Sequence, residues 1–544
     1  MRGTWLVMIG LTTAGGRLTA QEHEHQERTP LYDNLGNYHM AVTTKSPVAQ
    51  QYFDQGLRLT YGFNHDEAIK SYREGIREDS TCAMCWWGVA YALGPNINVP
   101  MDTAAVKPAW EAVQQAVKLA PLASERERAY IRALQARYSA DPPANRAPLD
   151  SAWARAIGEV SRRYPMDDDA ATLQAEALMD LRPWNYWNNA GKPRAPSTIE
   201  TVAILERIVT RTRDNPGACH FYIHAIEAST FAARALPCAE RLGSLVPGAG
   251  HLVHMPTHIY MRLGRWEDAV EHNAHAVHVD QEYVAARHPT GVYPIGYVPH
   301  NYHVMWEALD MLGRSEEALA TARTIVGKVP ADVVKMIPPF ESYSPVVLFT
   351  LARFSRWDDV LAEPAPEPGL RYTTGIWHYA RGLAYAAKGR LDSAAVERDS
   401  LAAIAAAMPP EAMAGLNSMR TLLQIGERHL AGELASRRKR PENAVRAIRG
   451  GIALEDELTY EEPTAWALPL RQQLGAILLA AGRAKEAETA YRGDLARYPN
   501  NGWSLHGLAA SLKARGRAKE AAAVDAEFRK AWARADVKPL AGAF

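Results

Sequence analysis

Gly482-Arg-Ala-Lys-Glu-Ala487 recurs as Gly516-Arg-Ala-Lys-Glu-Ala521, which is a period of 34 residues. After the first copy, Tyr491 and Pro499 continue an order of small residue, large residue and Pro. A period of this length is typical of repeated helix pairs, in which small residues let two helices approach and large residues fill the gaps. The sequence therefore predicts an all-α superhelical solenoid of antiparallel helix pairs.

The same order of small and large residues fits at further places along the chain, which are Gly56/Ala68/Tyr72, Gly88/Tyr91, Ala235/Ala239/Pro247, Gly264/Ala269, Gly313/Ala318, Gly382/Gly389/Ala394 and Gly432/Ala444. This pattern resembles the tetratricopeptide repeat (TPR) family, and specifically an exported bacterial member of it. The resemblance covers roughly residues 49–533. Turn-rich insertions at 94–101, 182–196 and 288–299 interrupt the period, and such insertions often lie on the binding side of a solenoid.

Composition and the N-terminus indicate an exported globular protein. Hydrophobic residues make up 47% of the chain, and 61 basic residues balance 61 acidic ones, so charge gives no reason to expect nucleic acid or an anionic membrane as partner. Arg2, the apolar run that follows and the small residues before Gln21 predict a cleaved signal peptide and a periplasmic or secreted location. The sequence predicts a signal peptide at 1–20, an extension at 21–48, histidine-rich repeats at 49–345, C-terminal repeats at 346–535 and a tail at 536–544.

Histidines fall at equivalent positions of three successive repeats. When the repeats are aligned on Ala235, Ala269 and Ala318, one face of the first helix carries His220, His224 and Glu227, then His251, His254 and His258, then His300, His303 and Glu307. Seven of the 18 histidines lie on this stripe. In the TPR family the same positions line the concave groove, so the resemblance implies a histidine-lined groove. Pro256 indicates a helix start there, which would put His251 and His254 in the preceding loop.

Such a stripe predicts a transition-metal site, because neutral imidazole is a common ligand and pairs spaced by three or four residues can share one ion. Copper or zinc suits this ligand set, and iron ranks below them. Glu227 or Glu307 would act as a fourth ligand, as a hydrogen-bond partner that orients a ligand from behind, or as a general base. The alternatives are a polar groove without metal, in which histidines bind a peptide, and purely structural histidines.

Four cysteines divide into two pairs. Cys219 and Cys238 lie at facing positions of one helix pair, which predicts a structural disulfide in an exported protein. Cys82 and Cys85 lie on the groove face, where they would be a redox pair, soft metal ligands or a local disulfide.

The sequence therefore predicts an exported TPR scaffold whose groove binds a protein, a peptide or a small molecule and holds a metal. The alternative from another class is a metal-dependent enzyme with its active site in that groove, covered by the insertion at 288–299. Nucleic acid and membrane insertion are not expected. The residues do not decide whether the protein is an enzyme.

Overall fold

The computed structural model describes residues 28–539, so the predicted signal peptide at 1–20 lies outside the described residues. The chain divides into two compact units, each assembled from separate segments. The first comprises the described residues up to Thr230 with Pro237–Met255 and Val279–Tyr293, and the second comprises Phe231–Leu236, Pro256–His278 and the described residues from Pro294 onward.

The first unit is a succession of α-helices in which neighbours in sequence pack against one another. Its helices are α1 (Pro47–Tyr61), α2 (His65–Glu78), α3 (Ala83–Ala92), α4 (Val106–Leu119), α5 (Glu125–Gln135), α6 (Ala147–Arg163), α7 (Asp168–Asp180), α8 (Pro196–Arg211), α9 (Pro216–Ile226), α10 (Leu236–Leu245) and α11 (Gly250–His254). Short connections between packed neighbours make these helices antiparallel pairs.

The second unit has the same construction. Its helices are α12 (Pro256–Arg262), α13 (Trp266–Arg287, whose last residues belong to the first unit), α14 (Val298–Leu312), α15 (Ser315–Lys328), α16 (Ala331–Met336), α17 (Val346–Arg353), α18 (Trp357–Ala362), α19 (Arg371–Ala387), α20 (Leu391–Ala407), α21 (Met419–Arg437), α22 (Pro441–Glu455), α23 (Leu470–Ala480), α24 (Ala484–Arg497), α25 (Gly502–Ala514) and α26 (Ala518–Ala531). Two short strands, β1 (Met413–Ala414) and β2 (Asn417–Ser418), pair antiparallel. The prediction of an all-α solenoid of helix pairs is confirmed.

The predicted alternation of small and large residues is visible where helices cross. In the second unit, the Tyr491 ring lies between Gly475 and Gly507, where an added Cβ would come within 2.5 Å and 2.2 Å of ring carbons. In the first unit, Tyr72 fills the same place between Gly56 and Gly88. Glycine at these crossings lets a tyrosine from one helix insert between the helices before and after it. The C-terminal period and the irregular N-terminal repeats therefore share one packing rule.

Eight helix–helix turns also share one backbone conformation. In each, a residue with positive φ stands two positions before the second helix, and these residues are Phe63, Gly264, Gly313, Ser355, Gly389, Lys439, Gly482 and Gly516. The next residue donates its N–H to a carbonyl five positions earlier, as Arg483 N does to Leu478 O at 2.8 Å and Asn64 N does to Leu59 O at 3.0 Å. This is the Schellman arrangement, in which a left-handed residue ends the first helix. Glycine is the usual occupant, and Phe63 is the one aromatic residue among the eight.

No helix among residues 28–539 combines the length and the apolar character needed to span a bilayer.

Candidate metal centre

Helix α9 places two of the predicted histidines on one face. Asn215 caps the helix, its side-chain oxygen accepting from Ala218 N at 2.8 Å, and Pro216 occupies the first turn. His220 and His224 are four positions apart, so the two side chains lie one above the other. Every residue of α9 is buried. The helix therefore presents two imidazoles inside the first unit and away from solvent.

A second short helix, α11, brings in His251. The chain stays helical from Gly250 to His254 and begins a new helix at Pro256, so Pro256 does start a helix. The prediction that His251 and His254 lie in a loop before it is wrong, because the five residues before Met255 form a helical turn of their own. His251 N donates to the hydroxyl of Tyr293, and Gly250 packs so closely on the Asp280 carboxylate that a Cβ there would lie 2.0 Å from it.

His220, His224 and His251 converge. One ring nitrogen from each lies within 4.8 Å of the others, and all three residues are buried, with 0%, 3% and 1% of their surface exposed. Nitrogens that share a tetrahedral metal at about 2.0–2.1 Å lie about 3.3 Å apart, so small side-chain rotations would complete a three-nitrogen site. The ring centroids are 4.9 Å apart for His220 and His224, and 5.0 Å apart for His220 and His251.

The outer nitrogens of two of these rings are held by hydrogen bonds. His220 Nδ1 lies 2.6 Å from the backbone oxygen of Tyr61, which can only accept, so Nδ1 carries the proton. His224 Nδ1 lies 2.8 Å from Glu227 Oε1. With Nδ1 of each ring held by these partners, Nε2 would be the ligand atom, and a carboxylate behind a histidine raises its basicity as a ligand. Glu227 thus lies where a carboxylate that orients His224 from behind would lie.

Two aromatic rings lie beside the histidine cluster. The Phe63 ring lies 4.5 Å from the His220 ring, 6.2 Å from that of His224 and 5.6 Å from that of His251, measured between centroids. The Trp184 ring meets His224 edge to face at 5.2 Å. Both aromatic residues have left-handed backbones, with φ of 56° and 62°. Such backbones are uncommon for bulky residues and cluster at functional sites.

The insertions predicted at 94–101 and 182–196 meet beside this cluster. Trp184 belongs to the second insertion, and its Nε1 donates to Asn98 Oδ1 in the first at 3.1 Å. Asn96 braces the first loop by accepting from Asn98 N and Val99 N at 2.8 Å and 2.9 Å. In the second loop Trp187 Nε1 donates to Ala225 O on α9. The two interruptions of the repeat are therefore ordered segments that support the tryptophan.

The other predicted residues lie as follows. In the first unit the His254 ring stacks on that of His251 at 5.7 Å. In the second unit the His258 and His300 rings are 5.7 Å apart. His303 packs between Trp306 and Tyr343, and burial lowers its pKa to about 3. Glu307 accepts from both the N–H and the hydroxyl of Thr464. Their assignment as ligands stays a prediction.

The cysteines differ from the prediction. The structure joins Cys82 to Cys85 in a disulfide at the start of α3, which was one of three alternatives for that pair. The disulfide expected between Cys219 and Cys238 is wrong, because both are buried thiols. The prediction that these two cysteines lie at facing positions of α9 and α10 is correct, because the two thiols hydrogen-bond each other. Arg241 also approaches Cys238 Sγ at 3.4 Å.

Sequence reasoning missed Phe63, Tyr61, Asp280 and Tyr293. Phe63 has a signal in the sequence, because it stands at a turn position that holds glycine in five of the eight aligned turns. Tyr61 contacts the site through its backbone carbonyl, and Asp280 and Tyr293 reach it from a distant part of the chain. The spacing of the repeats gives no signal for contacts of either kind.

Comparison with known proteins finds only solved structures of low sequence identity and low TM-score. No protein-family model matches the chain, and no curated protein matches it. The solved structures similar to it include human IFIT1 as a dimer with m7Gppp-AAAA (13% identity, 90% of this chain and 91% of that one, TM-score 0.34), yeast Tom70 (11%, 87% and 96%, 0.32) and the P58(IPK) TPR domain (10%, 87% and 99%, 0.23).

Likenesses at such identities and TM-scores carry no argument about function. The chain has a TPR-like helical-repeat fold, and the helix pairs and their turns show it directly. The finer expectation of an exported bacterial type stays a prediction. So does the expectation that nucleic acid is not a partner.

Proposed function

We propose that this protein is a helical-repeat scaffold that binds a transition-metal ion through His220, His224 and His251. The observation that carries the proposal is the convergence of three buried imidazole nitrogens within 4.8 Å of one another. Two of the rings are oriented from behind by Tyr61 O and Glu227, which is the arrangement that metal-binding histidines commonly have. A group of buried histidines that served packing alone would need no such convergence.

Copper and zinc are the metals proposed, because three imidazoles suit both, and iron ranks below them. The second candidate function is a metal-dependent enzyme. The observation that favours it is the number of protein ligands, since catalytic zinc sites hold the metal with three residues and keep a fourth position for water or substrate.

The proposal includes a binding role and a location outside the cytoplasm. Stacked helix pairs build extended surfaces, which suit a protein, peptide or small-molecule partner. The Cys82–Cys85 disulfide supports an oxidising compartment, periplasmic or secreted, in agreement with the predicted leader.

The test is the metal content of the full chain, expressed without an affinity tag of histidines and reconstituted with Cu or Zn. His220→Gln, His224→Gln and His251→Gln are each compared with His275→Ala, a control at an exposed histidine of α13. The proposal expects a stoichiometric metal in the wild type and in the control, and loss of the metal in each of the three variants. Wild-type protein that stays metal-free after reconstitution would overturn it.

A further inference from the structure

We propose that the second unit contains a peptide-binding groove that its own residues 459–468 close, and that its partner is an extended peptide with a hydroxyl residue two positions before a tryptophan. The groove is the face formed by α14, α17, α19 and α21, and residues 459–468 are called the strap. The inference rests on the binding role in the proposed function and names the partner class for it. It does not involve the metal site.

The strap belongs to an unusually long connection between two helices. Residues 456–469 connect α22 to α23, whereas residues 498–501 suffice for the equivalent connection between α24 and α25. Connections between packed helices are usually short, and long ordered ones are commonly functional. Trp466 and Leu468 are each only 1% exposed, so the strap is packed against the helices. A segment that only joined two helices would need neither the length nor these buried side chains.

The strap lies on the face where the repeat pattern predicts ligand binding. Glu307 of α14 is one of the predicted groove residues, and its carboxylate accepts from Thr464 N at 3.1 Å and from Thr464 Oγ1 at 2.7 Å. Tyr379 of α19 stands 15 positions before Ala394, which is the spacing at which three repeats of the predicted stripe have a histidine. The rings of Tyr379 and Trp466 lie 5.4 Å apart. Groove positions of two repeats therefore hold the strap.

Trp466 is the main apolar contact between the strap and the groove. Its ring lies 5.4 Å from those of both Phe349 on α17 and Tyr379 on α19. On α21, a Cβ at Gly426 would lie 3.1 Å from the same ring. The indole N–H donates to Leu468 O at 2.9 Å, so the polar edge of the ring is also satisfied. An aromatic side chain inserted into a slot between helices is a common determinant of peptide recognition.

The other end of the strap is held by hydrogen bonds to its backbone and to Glu461. The side chain of Asn417 donates to Thr459 O at 2.9 Å and accepts from Thr459 N at 2.8 Å. The Glu461 carboxylate accepts from Leu416 N and from Asn417 Nδ2, each at 2.8 Å. Main-chain hydrogen bonds combined with a pocket for a side chain are the means by which proteins bind extended peptides. The strap is therefore bound as a peptide ligand would be.

Covalent attachment gives the strap an advantage over any free peptide. A tethered segment has an effective concentration that is about millimolar, so a free peptide competes poorly with it. The strap is consequently an autoinhibitory contact, and a partner reaches the groove only when the strap is displaced. Because Thr464 and Trp466 make the contacts to Glu307 and Tyr379, a peptide that displaces the strap needs the same two kinds of side chain.

The experiment measures binding of a fluorescent peptide to the full chain by anisotropy. The probe has the sequence Glu-Pro-Thr-Ala-Trp-Ala-Leu of residues 462–468, and a control probe has alanine in place of its tryptophan. Trp466→Ala removes the ring that fills the groove, and Asn417→Ala loosens the strap without changing the groove residues that contact the probe. Trp377→Ala is the matched control, because Trp377 is two positions from Tyr379, on another face of α19, and its indole donates to Glu363 O.

Trp466→Ala should bind the probe at least about tenfold more tightly than the wild type does, because the tethered competitor has lost its main contact. Asn417→Ala should have an affinity between the two, and Trp377→Ala should match the wild type. The control probe should bind none of the four proteins. Circular dichroism and thermal unfolding show whether each variant is folded, and Asn417→Ala decides the question if Trp466→Ala does not fold.

Two results would overturn the inference. If the wild type binds the probe as tightly as the variants do, the strap does not close the groove. If the folded variants bind the probe no better than the wild type does, the face is not a peptide-binding groove. Either result leaves the metal site to its own test, and a wild type that stays metal-free after reconstitution would leave the peptide result unchanged.

Discussion

Burial shifts the protonation of several single side chains in the second unit. It raises the pKa of Asp310, Glu455 and Glu461 to about 7, and it lowers the pKa of His303 and His429 to about 3. In each case the interior favours the neutral form, because a charge is poorly solvated there. The acids and the histidines consequently make opposite contributions to the pH dependence of stability.

Asp310→Asn tests this at one residue. The folded protein holds a proton on Asp310 that the unfolded chain releases above about pH 4. Its stabilising contribution is therefore present at low pH and is lost as pH rises through about 7. We expect the unfolding free energy of the wild type, relative to the variant, to fall by on the order of 4 kcal/mol between pH 4 and pH 8. Chemical denaturation across that range measures it.

Asp392→Asn is the control, because Asp392 is fully exposed. Its stability difference from the wild type should stay flat between the same two pH values. A difference for Asp310→Asn that also stays constant would show that this carboxyl titrates normally in the folded protein.

Backbone conformation also sets how a single substitution changes stability. Gly482 and Gly327 both have open space where a Cβ would go, and they differ in conformation: Gly482 has a φ of +74° at a turn, and Gly327 lies in α15. Gly482→Ala should lower stability by about 1 kcal/mol, and Gly327→Ala should raise it by about 0.5–1 kcal/mol. Thermal unfolding of the pair checks the sign, and equal effects would contradict the shared turn geometry.

At the scale of elements, the helix pairs are held together by a large ring inserted between small residues. Tyr491 on α24 contacts Gly475 on α23 and Gly507 on α25, so one side chain joins three consecutive helices. The same arrangement around Tyr72 joins α1, α2 and α3. This packing sets how closely successive pairs stack, and it positions the turn that carries Phe63.

Gly507→Ala tests this packing. The added methyl group would lie 2.2 Å from the Tyr491 ring, so α25 would have to move away from α24, at a cost of about 1–3 kcal/mol. Gly493→Ala on α24 meets only Arg471 at ordinary contact distance and should be neutral or slightly stabilising. Denaturation midpoints of the two variants give the comparison. Equal midpoints would mean that the crossing is not tightly packed.

At the scale of the whole molecule, the sequence predicts what repeats along the chain. Gly482 and Gly516 mark the period, and this period predicted the helix pairs of both units. The spacing of His220 and His224 also predicted that both lie on one face of a helix, as they do on α9, while the assignment of the histidines as metal ligands stays a prediction. These successes share a cause, because side chains spaced by whole helical turns lie on one face whatever the helix packs against.

What the sequence did not predict depends on contacts between distant segments. The turn at Phe63 approaches α9 only after folding, so neither its ring nor the carbonyl of Tyr61 could be assigned to the site from spacing. Pro256 predicted a helix start but not the short helix α11 before it. The Cys219–Cys238 prediction had the right helix faces and the wrong bond.

The most direct test of the metal site is anomalous diffraction at the metal absorption edge, from crystals of the full chain loaded with Cu(I) or Zn(II). We predict a strong anomalous peak about 2.0–2.1 Å from a ring nitrogen of each of His220, His224 and His251, with Glu227 still bonded to His224. A loaded crystal whose peaks lie elsewhere, with none among these three rings, would contradict the account.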